Sequence, residues 1–94
     1  MLGLFLVKNK IFQYRKINLP KKIDKNKCRI KIKYSGICAS DIPRAFENKS
    51  YFYPIILGHE FSGIVEKTGK SVTKFKSGDR VTAYPLIPKK KIPI

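Results

Sequence analysis

Gly58-His59-Glu60-Phe61-Ser62-Gly63, followed by Gly69 six positions after Gly63 and by Val72 three further on, is the stretch that decides how this chain reads. Upstream of it lies Gly36-Ile37-Cys38-Ala39-Ser40-Asp41. A soft thiolate, an imidazole and adjacent carboxylates on one short chain suit zinc. The glycines matter because each permits either a positive φ or a close backbone approach around the histidine. Taken singly, His59 reads as a surface or hydrogen-bonded core histidine and Cys38 as an inert loop cysteine. Glu60 and Asp41 read singly as solvated acids, yet the chain has six acids against 21 bases, and two of the six stand beside the proposed ligands.

The 94 residues suffice for one domain, whose core can form without metal or disulfide help if its surfaces are complete. A formal net charge of +15 raises nucleic acid or an acidic membrane as a partner. The kind of charge argues otherwise. Seventeen of the 21 basic residues are Lys and four are Arg, whereas base reading and bidentate phosphate contacts favour Arg. The Lys excess accompanies many Ile, Asn, Tyr and Phe, the signature of an A/T-rich genome, so no specific nucleic acid is expected. Two cysteines, Cys28 and Cys38, imply no disulfide framework and suit a reducing cytoplasm. The apolar opening Met1 to Val7 has no basic leader region and is too short to span a membrane; it reads as a strand, with no membrane partner.

Leu2 to Lys8 and Ile11 to Lys16 flank Asn9-Lys10, which suits a tight hairpin, although Lys is a poorer second turn residue than Gly. A Lys-rich connection containing Pro20 follows. Cys28, Ile30, Ile32 and Tyr34 then alternate with Arg29, Lys31 and Lys33, which predicts a half-buried strand with Cys28 on its core face as a small hydrophobe. Cys38 falls in the loop after Gly36, ahead of a short helix at Ser40 to Phe46 that Ser40 or Asp41 would cap, with Pro43 in the first turn. Tyr51-Phe52-Tyr53-Pro54 reads as an aromatic loop used for packing. Phe61 to Thr68 reads as a strand, Ser77-Gly78-Asp79 as a turn, and Arg80 to Tyr84 as a last strand. Short strands punctuated by Gly and Pro make the fold mainly β, a barrel or sandwich.

These residues resemble the zinc-dependent medium-chain alcohol and polyol dehydrogenases. The resemblance sharpens the fold to a GroES-like, partly open β-barrel with one or two short helices, over residues 1–88, with 89–94 as a Lys-rich tail. Ser40 through Phe46, Tyr53 to Leu57 and Tyr84 to Pro88 look most like the sugar-alcohol branch, particularly the galactitol-1-phosphate dehydrogenases. The resemblance implies that Cys38 and His59 bind one catalytic zinc and that Glu60 is a ligand or a neighbouring carboxylate, two roles that stay open. It implies that Ser40 relays the alcohol proton and that Asp41 accepts the other His59 N–H. Zinc would lower the O–H pKa of an alcohol and so prepare hydride release. Ala39 departs from the glycine usual after this cysteine. Arg44 reads either as a surface arginine or as a contact to a substrate phosphate through a charge-assisted fork.

The resemblance reaches the first part of a family member, and two absences follow. None of the six glycines has the Gly-x-Gly-x-x-Gly spacing of a dinucleotide fold, so no cofactor-binding residue is expected here, and NAD(P) would need a nucleotide-binding domain supplied separately. After Pro88, where many family members begin a four-cysteine structural-zinc lobe, stands Lys89-Lys90-Lys91-Ile92-Pro93-Ile94, so no structural zinc is expected. The lysine run suits a truncated or frameshifted product. Three readings follow: a catalytic-domain fragment, inactive alone and complemented by a separately encoded nucleotide-binding domain or a homologous subunit; a noncatalytic GroES-like interaction or anion-binding module; or a gene remnant. The intact Cys38, His59, Glu60 and Asp41 favour the first, with a small polyol as substrate. Family members cover part of the barrel with chain returning from beyond the nucleotide-binding domain, so exposed apolar faces are expected here.

Overall fold

The computed structural model describes residues 1–84. The expected domain limit at residue 88, the Lys89–Lys91 tail and most of the Tyr84-to-Pro88 stretch lie outside the described residues.

Two sheets and one helix make up the described chain. Strands β1 (Leu2–Lys8) and β2 (Ile11–Lys16) form an antiparallel hairpin. Strands β3 (Cys28–Gly36), β4 (Glu60–Thr68) and β5 (Arg80–Thr82) form an antiparallel sheet in that order, and helix α1 (Asp41–Phe46) lies between β3 and β4 in sequence. The hairpin is tied to the connection between α1 and β4 at one bridge, where Leu6 and Ile55 exchange backbone hydrogen bonds of 2.8 and 3.0 Å. The two sheets do not close into a barrel, which agrees with a GroES-like fold read as partly open.

The hairpin turn falls on Asn9 and Lys10 as expected. Lys10 takes the positive φ, 64°, and the register slips between Leu6 and Lys8. What holds Lys10 in that conformation is tertiary: its N–H donates to Ala45 O at 2.7 Å, and the Asn48 N–H donates to Asn9 Oδ1 at 2.7 Å. The turn is thereby pinned to α1 and the chain just after it. Leu6, Ala45 and Val65 are the buried apolar residues, one each from the hairpin, the helix and the second sheet.

Three expectations need correction. The alternation of β3 does not produce a buried face: Cys28 and Ile30 are half-buried, but Ile32 is 48% and Tyr34 79% exposed. Bulges between Arg29 and Ile30 and between Ile32 and Tyr34 interrupt the two-residue period, and no second described layer covers the distal end. The aromatic loop does not serve packing throughout, since Tyr51 and Phe52 are exposed, while the half-buried Tyr53 donates its hydroxyl to Asn48 Oδ1 at 3.1 Å. The last strand ends at Thr82 rather than Tyr84. The described helix is too short and too polar to cross a membrane.

Candidate metal centre

The β3–β4 register builds the site. Gly36, the last residue of β3, pairs with Glu60, the first of β4. Cys38 stands two residues beyond one end of that rung and His59 one residue before the other, so both are delivered to the same end of the sheet. Two glycines permit the approach. Gly58, next to His59, has φ +128°, and a Cβ at Gly36 would stand 3.1 Å from Glu60 Oε2. The ligand atoms of Cys38, His59 and Glu60 lie within 4.8 Å of one another, the one such group among the described residues. Cys38 and His59 are half-buried and Glu60 is exposed.

Asp41 binds this arrangement from behind. It is 7% exposed, and its Oδ2 accepts the Cys38 backbone N–H at 3.0 Å while its own N–H donates to Cys38 O at 2.9 Å. Its Oδ1 is buried without a hydrogen-bond partner and faces His59 Nδ1 at 3.6 Å. That separation exceeds a hydrogen bond, so the Asp41–His59 bond expected from the sequence is not closed in this geometry. Because Nδ1 faces the carboxylate, Nε2 is the ring nitrogen left for a ligand. Ser40 stands at the N-cap of α1 with φ −69° and makes no side-chain cap bond, and the Asp41 carboxylate is committed to Cys38; neither caps the helix as expected. Arg44 is half-buried with Cζ 5.4 Å from the centroid of the Tyr51 ring. Cys28 lies outside the cluster and Ala39 is exposed beside it.

These donors fit zinc. One sulfur, one imidazole nitrogen and one carboxylate oxygen leave a fourth tetrahedral position open, the pattern of a catalytic rather than a structural ion. Donors around such an ion lie about 3.6 Å apart, so the three need to draw in by roughly 1 Å. The orphaned Asp41 Oδ1 fits as well. A metal on Nε2 keeps the proton on Nδ1, where the buried carboxylate can accept it. What sequence reasoning missed is the Asp41 bond to the Cys38 amide, in which an acid reaches back three residues to a backbone N–H as in a capping box.

A mainly β domain that opens one sheet end onto a Cys–His–carboxylate set has the form of the metal-binding domain of zinc-dependent dehydrogenases. The chain belongs to the alcohol dehydrogenase GroES-like domain family, whose model matches residues 24–92. Galactitol 1-phosphate 5-dehydrogenase of Escherichia coli K12 is 44% identical over 70 residues, covering 74% of this chain and 20% of that protein. The crystal structure of the Escherichia coli galactitol-1-phosphate dehydrogenase matches with a TM-score of 0.80 at 36% identity, over 85% of this chain and 23% of the other. D-arabitol-phosphate dehydrogenase of Enterococcus avium is 48% identical over 69 residues, 71% of this chain and 19% of that protein. The CAD of Helicobacter pylori, solved in complex with NADP(H), matches with a TM-score of 0.71 at 36% identity, over 84% of this chain and 23% of the other. The chain thus spans about a fifth of the length of the curated relatives it matches.

Proposed function

We propose that residues 1–88 form the metal-binding, catalytic-domain portion of a zinc- and NAD(P)-dependent dehydrogenase acting on a polyol. The observation that carries this reading is the convergence of Cys38, His59 and Glu60 within 4.8 Å of one another, with the buried, unpartnered Asp41 Oδ1 3.6 Å behind His59 Nδ1. Cys38 Sγ and His59 Nε2 would hold zinc, with Glu60 as third ligand or as the carboxylate that exchanges with substrate or water. When bound there, zinc supplies a Lewis acid that polarises an alcohol and favours departure of hydride from its carbon.

The chain's own residues do the rest. Asp41 holds the Cys38 amide, and its free Oδ1 would take the His59 Nδ1–H as a bound ion draws the ligands together. The exposed Ser40 hydroxyl has no hydrogen-bond partner among the described residues, which leaves it able to take the alcohol proton and pass it to solvent. A hydride acceptor is bound elsewhere, by polypeptide outside these 94 residues, because none of the six glycines has dinucleotide-fold spacing. Whether that polypeptide is a separate partner or part of a longer chain does not alter the division of labour.

Zinc titration of the purified chain tests the assignment. The expected result is one ion per wild-type chain and loss of that ion in both Cys38→Ser and His59→Ala. Unchanged stoichiometry in the two variants would falsify it.

A further inference from the structure

The described chain has two half-buried arginines, and they are treated differently. Arg29 donates from Nε to Glu66 Oε2 at 2.8 Å and from Nη1 to Pro20 O at 3.2 Å. Arg44 makes no ion pair and no side-chain hydrogen bond among the described residues, not even with Glu47 just after its helix. Its guanidinium lies over the Tyr51 ring, with Cζ 5.4 Å from the centroid. A ring steadies a guanidinium through its π cloud and consumes none of its five N–H donors. A partly desolvated cation with an empty donor fork is set up to receive an anion, and a planar fork matches the oxygens of phosphate in pairs.

The place of Arg44 on α1 puts that capacity near the metal centre. Arg44 lies three residues after Asp41 on α1, so their Cβ atoms are about 5–6 Å apart. Asp41 contacts the Cys38 loop and faces His59, so Arg44 is rooted about one helical turn from a residue that touches that loop, within the reach of an extended side chain. A polyol phosphate oxidised at one end of its carbon chain carries its phosphate at a comparable remove. Two relatives are named for such substrates, one oxidised at carbon 5 with phosphate on carbon 1.

Resting on the function proposed above, we infer that Arg44, steadied by Tyr51, binds the phosphate monoester of a phosphorylated polyol and selects it over the free polyol. The test is ligand titration of the zinc-loaded chain, followed by NMR, with galactitol 1-phosphate and galactitol as probes. Wild type should bind the phosphate ester about tenfold or more tightly, the range of a charged hydrogen bond, and the Arg44 Nε–H signal should move with the ester alone. Arg44→Gln should bind the two probes equally. Arg44→Lys should keep part of the preference, since the ammonium retains charge without the fork.

A residue acting only in packing would weaken both probes together. Retention of the preference in Arg44→Gln, or no difference between the probes in zinc-loaded wild type, overturns the inference. Zinc uptake is measured first in the same samples. Failure there removes the proposed function itself, and this inference with it, so the two failures are told apart.

Discussion

Asp41 holds one of the candidate ligand residues and faces another. Its Oδ2 takes the Cys38 amide at 3.0 Å, and its buried Oδ1 waits 3.6 Å from His59 Nδ1. Asparagine keeps the shape but offers only one oxygen. If that oxygen serves Cys38, the amide NH2 faces Nδ1, which must then accept, and the ring proton moves to Nε2 where it blocks the metal. Asp41→Asn should therefore bind zinc about 10–100-fold more weakly than wild type, with an unchanged far-ultraviolet dichroism spectrum. Competition with a chromophoric chelator measures the affinity, and equal affinities would remove Asp41 from the positioning role. The residue types that meet at this centre were legible in the sequence, because a cysteine, a histidine and acids spaced among glycines have few other joint uses. The partition of bonds among them was not. Ser40 and Asp41 are both good helix caps, and only the loop geometry decides that the carboxylate goes back to Cys38 and that the hydroxyl stays free.

Strand pairing delivers those residues, so its weak points lie where strands crowd. A Cβ added at Gly63 would run into Lys31 O of β3 and stand 2.7 Å from Ile30 Cγ2. Both are held by the sheet, so neither gives way easily. At Gly78 a Cβ would meet nothing within 4 Å, and the objection is the φ of +97° alone. Gly63→Ala should therefore cost about 1–3 kcal/mol of stability and Gly78→Ala about 1 kcal/mol, read from denaturant midpoints. A larger loss at Gly78 would contradict the crowding argument. The hairpin and β4 were readable to within a residue, since turn residues and apolar runs act locally. The burial of β3 was not, since alternation sorts side chains onto two faces but only a covering layer buries one, and two bulges then break the period.

At the scale of the whole molecule, Leu6, Ala45 and Val65 are buried, whereas Leu2, Leu4, Ile11, Phe12, Tyr14, Ile37, Ile42 and Phe46 are exposed. Several of these line one apolar cleft of about 320 Å³ beside the hairpin and α1, where the Phe12 and Phe46 rings meet tilted with centroids 6.3 Å apart. Charge repulsion from +15 opposes association at low salt and is screened within about 10 Å at 0.1 M. Size-exclusion chromatography at moderate salt should thus show oligomers of the purified chain, and a stable monomer would show that the cleft is less adhesive than its composition suggests. The catalytic expectation is sharper. Holding and polarising an alcohol is half of a dehydrogenation, and the other half needs a nicotinamide held at attack distance. Orienting two reactants is worth ~7–11 kcal/mol in favourable cases, and no dinucleotide-binding spacing occurs among the six glycines to provide it. The isolated, zinc-loaded chain should give no reduced nicotinamide from galactitol 1-phosphate, sorbitol or simple alcohols with NAD or NADP. Adding a separately produced nucleotide-binding domain of a related dehydrogenase is the informative second arm. Absorbance appearing only on mixing would locate the missing half of the site in that partner, whereas zinc-dependent turnover by the chain alone would mean that these 94 residues hold an acceptor site of a kind their glycine spacing does not reveal.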